Sequence, residues 1–109
     1  MAKKVLGQQN PTAATLTSLY TVPASKEAVV STLTCCNRDS ATECLIRIAV
    51  RPAGASISNE HYIYYDLPIP ANDTFKATIG MTLATTDVVS VYTDNATMSF
   101  SLFGDESDV

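Results

Sequence analysis

The chain has 109 residues, 46% of them apolar and 17% charged, with a formal net charge of −4. That length is one domain around one core, and that composition excludes a disordered chain, which would carry more charge and less apolar content. The interior basic residues Lys26, Arg38, Arg47, Arg51 and Lys76 are scattered, which excludes a nucleic-acid surface built on clustered Lys and Arg, and no run reaches the ~20 apolar residues of a membrane helix.

Residues 1–14 hold Gln8, Gln9, Asn10, Pro11 and Thr12 with little periodicity and are expected to form an extended N-terminal arm. Lys3-Lys4 lead into Gln8 and Gln9 rather than an apolar leader, so synthesis in the cytoplasm is expected. The arm still holds the apolar residues Val5 and Leu6. The arm is therefore expected to contact a neighbouring protein through them, by adding a strand to an open sheet edge.

From Thr15 onward the composition turns to Thr, Val, Ile, Tyr and Ser, with turn residues roughly every ten positions. Strands are predicted at Thr15–Val22, which Pro23 ends, and at Glu27–Cys36. In the second, Val29, Ser31, Leu33 and Cys35 share one face by simple alternation. Asn37 to Ser40 make a turn. Glu43–Arg51 then alternates, with Cys44, Ile46, Ile48 and Val50 facing inward and Arg47 and Arg51 facing water.

His61–Leu67 is an aromatic strand, with Tyr62 and Tyr64 on one side and Tyr65 on the other; Pro68 and Pro70 mark a sheet edge. Phe75–Ile79 and a last hairpin, Asp87–Tyr92 with Thr97–Phe103, complete the pattern. Asp105, Glu106 and Asp108 read as a flexible acidic tail over 105–109. The fold class is all-β. Residues 15–104 are expected to form a single antiparallel β-sandwich, jelly-roll or immunoglobulin-like, of about seven to eight strands.

Little in this pattern supports chemistry. General acid–base catalysis needs a titratable pair within hydrogen-bond reach, and the one histidine, His61, reads as a turn-adjacent surface residue. No serine lies in a Gly-x-Ser-x-Gly elbow, and the four glycines are too far apart to cradle a phosphate. Cys35, Cys36 and Cys44 lack the spacing of a zinc site. No catalytic residue, metal site or cofactor is expected.

The cysteines and tyrosines carry the remaining signal. If Glu27–Cys36 and Glu43–Arg51 form a hairpin, Cys35 and Cys44 are either buried thiols or a cross-strand pair. Cys36 then points the other way, where it is either covered or exposed and able to pair between subunits. Tyrosine is enriched at interfaces, so at least one of Tyr62, Tyr64 and Tyr65 is expected at a subunit contact; plain core packing is the alternative.

Several segments together resemble the small virion structural proteins of tailed bacteriophages. They are Leu19-Tyr20-Thr21-Val22-Pro23, Ala49-Val50-Arg51-Pro52-Ala53-Gly54, His61-Tyr62-Ile63-Tyr64-Tyr65-Asp66, Ile69-Pro70-Ala71-Asn72-Asp73-Thr74-Phe75 and Ser99-Phe100-Ser101-Leu102-Phe103-Gly104. The likeness spans roughly Leu6 to Gly104 and marks a fold and an interface, not a reaction. It implies a non-enzymatic part of the virion, assembled as a homo-oligomer and attached to other virion proteins of the capsid, neck or tail; from charge and hydropathy no nucleic-acid or membrane partner is expected. A decoration, neck or collar position ranks ahead of a tail or fibre module, and a carbohydrate- or receptor-binding sandwich is the alternative class. Cys36 and Cys44 depart from the pattern.

Overall fold

The computed structural model describes residues 2–109. Among the described residues nine strands form: β1 (Ala2–Gln9), β2 (Thr17–Thr21), β3 (Lys26–Asn37), β4 (Cys44–Arg51), β5 (Tyr62–Ile69), β6 (Thr74–Ala77), β7 (Met81–Leu83), β8 (Val88–Thr93) and β9 (Met98–Asp108). The helical pieces among the described residues are 3-10 turns at Pro52–Gly54 and Asn59–His61. The chain is all-β, with two antiparallel sheets in the arrangement of a small β-sandwich.

The first sheet runs β1-β9-β3-β6, with β7 also on β3; the second runs β2-β8-β4-β5. Pairing is nested: β1 takes β9, β2 takes β8, β3 takes β6 and β4 takes β5. β6 and β7 lie end to end along β3, and residues 78–80 interrupt them where Gly80 offers no side chain to pack. The inner faces meet in one core. Leu33, Met98, Phe100 and Leu102 come from the first sheet and Ile46, Ile48, Val89 and Val91 from the second, each at most 1% exposed.

Strict alternation fails in β3. Val30 pairs with Gly104 and Thr32 with Phe103, so Ser31 is an extra residue, a β-bulge. Ala28 and Val30 face the core before it; Leu33, Cys35 and Asn37 face the core after it. Val29 and Ser31 therefore point outward, away from Leu33 and Cys35. β1 repeats the device on the opposite side of β9: Val5 pairs with Phe103 and Gly7 with Leu102, and Leu6 is the extra residue. Between the two bulges sits Gly104, where a Cβ would stand 2.1 Å from the Val29 carbonyl oxygen. A Cβ at Gly7 would stand 2.1 Å from the Leu19 carbonyl oxygen, because β1 and β2 close one side of the sandwich.

Two expectations about the ends need correction. Residues 2–9 are no free arm but the edge strand of the chain's own first sheet. The open edge of β9 takes their backbone, and the bulge drops Leu6 into the core. The segment at 105–108 is likewise strand, since β9 continues to Asp108. Two of its three acids, Glu106 and Asp108, have partners. Glu106 accepts from the Tyr20 hydroxyl at 2.6 Å and from Lys4 Nζ at 3.2 Å, and Lys26 Nζ reaches Asp108 at 2.5 Å. The hydroxyl bond from Tyr20, then Lys4, lowers the Glu106 pKa. Burial, then Glu106, raises that of Tyr20.

One end of the sandwich is tied by Asn37, which is 1% exposed. Its Nδ2 donates to the carbonyls of Thr42 at 3.0 Å, Ile69 at 3.0 Å and Pro70 at 3.2 Å. Its Oδ1 accepts from the Asp39 N–H at 3.0 Å and from Cys44 Sγ at 3.4 Å, and lies 3.4 Å from Thr97 Oγ1. Asp39 accepts from the N–H groups of Ala41 and Thr42 and from Asn95 Nδ2. Those bonds, the backbone ones first, hold its carboxyl below the usual range. Three loops are thereby fixed by two side chains.

Candidate interaction surfaces

On the second sheet, β4 presents Arg47 outward, and β5 is bent around it. Ile46 pairs with Leu67 and Ile48 with Tyr64, so Tyr65 and Asp66 together oppose Arg47. Asp66 takes a left-handed φ of +53°, which accommodates the extra residue. The guanidinium lies 4.2 Å from the Tyr65 ring centroid and 4.3 Å from that of Tyr92 in β8, and its Nε donates to Asp66 Oδ1 at 2.7 Å. The Asp66 bond raises the Arg47 pKa. The arginine is a cation between two π faces.

A second bulge, at Ile63, re-sorts the tyrosines. Tyr62 pairs with Ala49 and Tyr64 with Ile48. Tyr62 therefore meets Tyr65 edge-to-face at 5.0 Å, while Tyr64 turns toward the core and meets Phe75 at 5.2 Å. The expected pairing of Tyr62 with Tyr64 is thus corrected, since an inserted residue flips every side chain beyond it. Tyr65 stays 58% exposed, and Tyr64 is half-buried against the core.

The centre of this outer face is covered. Ala49 and Ser90 are at most 1% exposed although they point outward. Arg51 donates to Ser90 Oγ and, through Nη1, to the carbonyls of Gly54 and Ala55, while the Ala53 N–H donates to Asp87. These bonds hold the β4–β5 connection against the sheet. His61 closes its last turn, with Nδ1 accepting the Ser58 N–H at 3.1 Å. Ser58 Oγ donates to Glu60 and lowers the pKa of that carboxyl.

The outer face of the first sheet is open. Across β1 and β9 it carries three matched rows: Lys3 beside Asp105, Val5 beside Phe103, and Gln8 beside Ser101. β3 continues the rows with Val29, Thr32 and Thr34. Val5 is 49% and Val29 43% exposed. Lys3, Val5, Ser31, Phe103 and Asp105 line a shallow depression. Of the expected N-terminal contacts, Val5 lies on this face, whereas Leu6 is a core residue at 9% exposure.

Cys36 also lies on this face, half-buried, between Ser99 of β9 and Thr74 of β6. Cys35 and Cys44 face the core, and all three thiols are free. The hairpin expected to join Cys35 and Cys44 does not form, because β3 and β4 belong to different sheets. Burial pushes the Cys35 thiol up to about 12. Sequence reasoning missed Tyr92, Phe103 and Val29 as surface elements. The one available signal was Arg47, an outward arginine in a strand whose neighbours are rich in tyrosine.

Comparison with protein families, with curated proteins and with solved structures brings no match.

Proposed function

We propose that this chain is a non-enzymatic structural component of a tailed-phage virion, homo-oligomeric and attached to other virion proteins at the head or the head–tail surface. The sequence resemblance over Leu6 to Gly104 supports the virion assignment. The observation that carries a contact role is the contrast between the two outer faces. The second sheet covers the centre of its own with the β4–β5 connection and the Arg47 stack and exposes Tyr65 and Ile63 only on its edge strand β5, while the first leaves Val5 and Val29 in water around Phe103. An uncovered apolar centre with a polar surround suits a subunit contact.

We read the sandwich as a jelly roll rather than an immunoglobulin-like fold. The nested pairing of β1 with β9 through to β4 with β5 supports this, as a rolled-up hairpin pairs its strands in that order. Viral capsid domains use jelly rolls, as do lectins, so the fold alone is an analogy. Disrupting the reading frame in the phage genome tests the proposal. Incomplete or unstable particles, restored by the chain supplied in trans, are expected. Particles of normal composition and infectivity would overturn it.

Exposed Tyr65 favours a second reading, a carbohydrate- or receptor-binding module. Glycan-array binding abolished by Tyr65→Ala would support that reading, and an array without hits would remove it.

A further inference from the structure

The open face of the first sheet has a self-complementary pattern. Lys3 and Asp105 stand side by side, one on β1 and one on β9, and neither makes an ion pair among the described residues. In the next row Val5, half-exposed, stands beside Phe103, and beyond the bulge Gln8 stands beside Ser101. Each row thus holds a positive and a negative group, two apolar groups, or two polar groups. The neighbouring lysine, Lys4, differs: it turns to the other side of the sheet and is bound to Glu106.

We propose that two copies of this chain pair through this face, about a two-fold axis running parallel to the strands between β1 and β9. The inference rests on the homo-oligomeric reading above and names its surface. Such an axis lays β1 of one copy over β9 of the other. Lys3 then meets Asp105 of the second copy, Val5 meets Phe103, and Gln8 meets Ser101, each contact made twice by symmetry. A rotation that laid β9 on β9 would set Asp105 against Asp105, a like-charge contact that the pattern disfavours.

The overlap is narrow, two strands from each copy, so the contact belongs to the small, weak class below about 1,200 Å² of total buried surface. Its dissociation constant is expected in the range of roughly 10–1,000 μM. Weak contacts of this kind serve assemblies in which symmetry repeats them. The bulges at Leu6 and Ser31 are part of the device. They turn Val5 outward beside Phe103 and Ser31 outward between the levels of Phe103 and Gly104, while Val29 points outward beside Asp105.

Sedimentation velocity of the full chain across a concentration series, at low salt, tests the pairing. A monomer–dimer equilibrium is expected. Lys3→Asp alone and Asp105→Lys alone are each expected to weaken it about tenfold or more, and the double reversal Lys3→Asp/Asp105→Lys to restore most of it. Val5→Asp is expected to abolish it while leaving the urea midpoint near that of the unaltered chain, since Val5 is already half in water. A monomer at every concentration overturns the proposal, and so does a dimer indifferent to Val5→Asp and Asp105→Lys. A chain that stays monomeric yet is required for the particle overturns the two-fold pairing alone. A dimer in a chain that the phage does not need overturns the virion reading alone.

Discussion

Replacing Asn37 is the most informative single perturbation of the fold. Its amide group has six hydrogen-bond partners, three carbonyls that share the two Nδ2 hydrogens and three donors to Oδ1, from a position 1% exposed. Asn37→Ala removes all of them and strands the Ile69 carbonyl in a buried site. A net hydrogen bond is worth about 1 kcal/mol, and a buried group left unpaired costs about 1–3 kcal/mol. Because the two Thr42 and Ile69 bonds at 3.0 Å dominate, the loss should reach about 3–5 kcal/mol, a large part of the ~5–15 kcal/mol available to a domain. In urea, with a slope of about 1–3 kcal/mol per molar, the midpoint falls by roughly 2 M. Asn37→Asp sharpens the test. A carboxylate aimed at three carbonyls is disfavoured, so its folded pKa lies above its unfolded value of about 3.9. Stability of that variant is then greatest below the unfolded pKa and lost as pH rises through the folded one, so its deficit is larger at pH 7 than at pH 4. An Asn37→Ala loss below about 1 kcal/mol would show that the Asn37 amide does not hold these loops.

Other outcomes follow from the same contacts. Gly104→Ala forces a methyl against the Val29 carbonyl, 2.1 Å from its oxygen, and should cost at least about 2 kcal/mol by chemical denaturation; a neutral result means the double bulge relaxes freely. Arg47→Ala should cost about 1–2 kcal/mol and alter the near-ultraviolet tyrosine signal, with Arg47→Lys recovering less than half, because an ammonium cannot stack between Tyr65 and Tyr92. Asp39, Glu106 and Asp108 have depressed folded pKa values, so their stabilisation is present above the unfolded carboxyl range and lost as pH falls through the folded values. Melting curves should therefore shift downward in acid, and the shift should shrink in Glu106→Gln. A thiol reagent at pH 8 should modify Cys36 first and reach Cys35 and Cys44 only in denaturant; rapid modification of Cys35 would contradict its burial.

The β4 strand was legible because it obeys one rule along its length: Cys44, Ile46 and Ile48 face the core and Arg47 and Arg51 face out. The tyrosines of β5 were misread although their strand was placed correctly. Two bulges decide which of Tyr62, Tyr64 and Tyr65 share a face, and a bulge is a property of a strand pair, not of a strand. The same holds for Val29, Ser31 and Leu6, whose directions depend on Gly104 in a strand far along the chain. Residues 2–9 looked like an arm because their partner is the last strand, and the acidic end looked like a tail because Tyr20, Lys4 and Lys26 are all remote in sequence. The turn at Asn37–Ser40 was visible, but its role was not. It passes the chain from one sheet to the other, so β3 and β4 never form the hairpin their spacing suggests.

Under the function proposed above, the chain is a stoichiometric, non-catalytic part of a phage particle. Quantitative mass spectrometry of gradient-purified particles decides this. This chain is expected in a fixed, reproducible ratio to the major head or tail protein, retained through successive purification steps. Its absence from intact, infectious particles, or an amount that falls with each step, would contradict it.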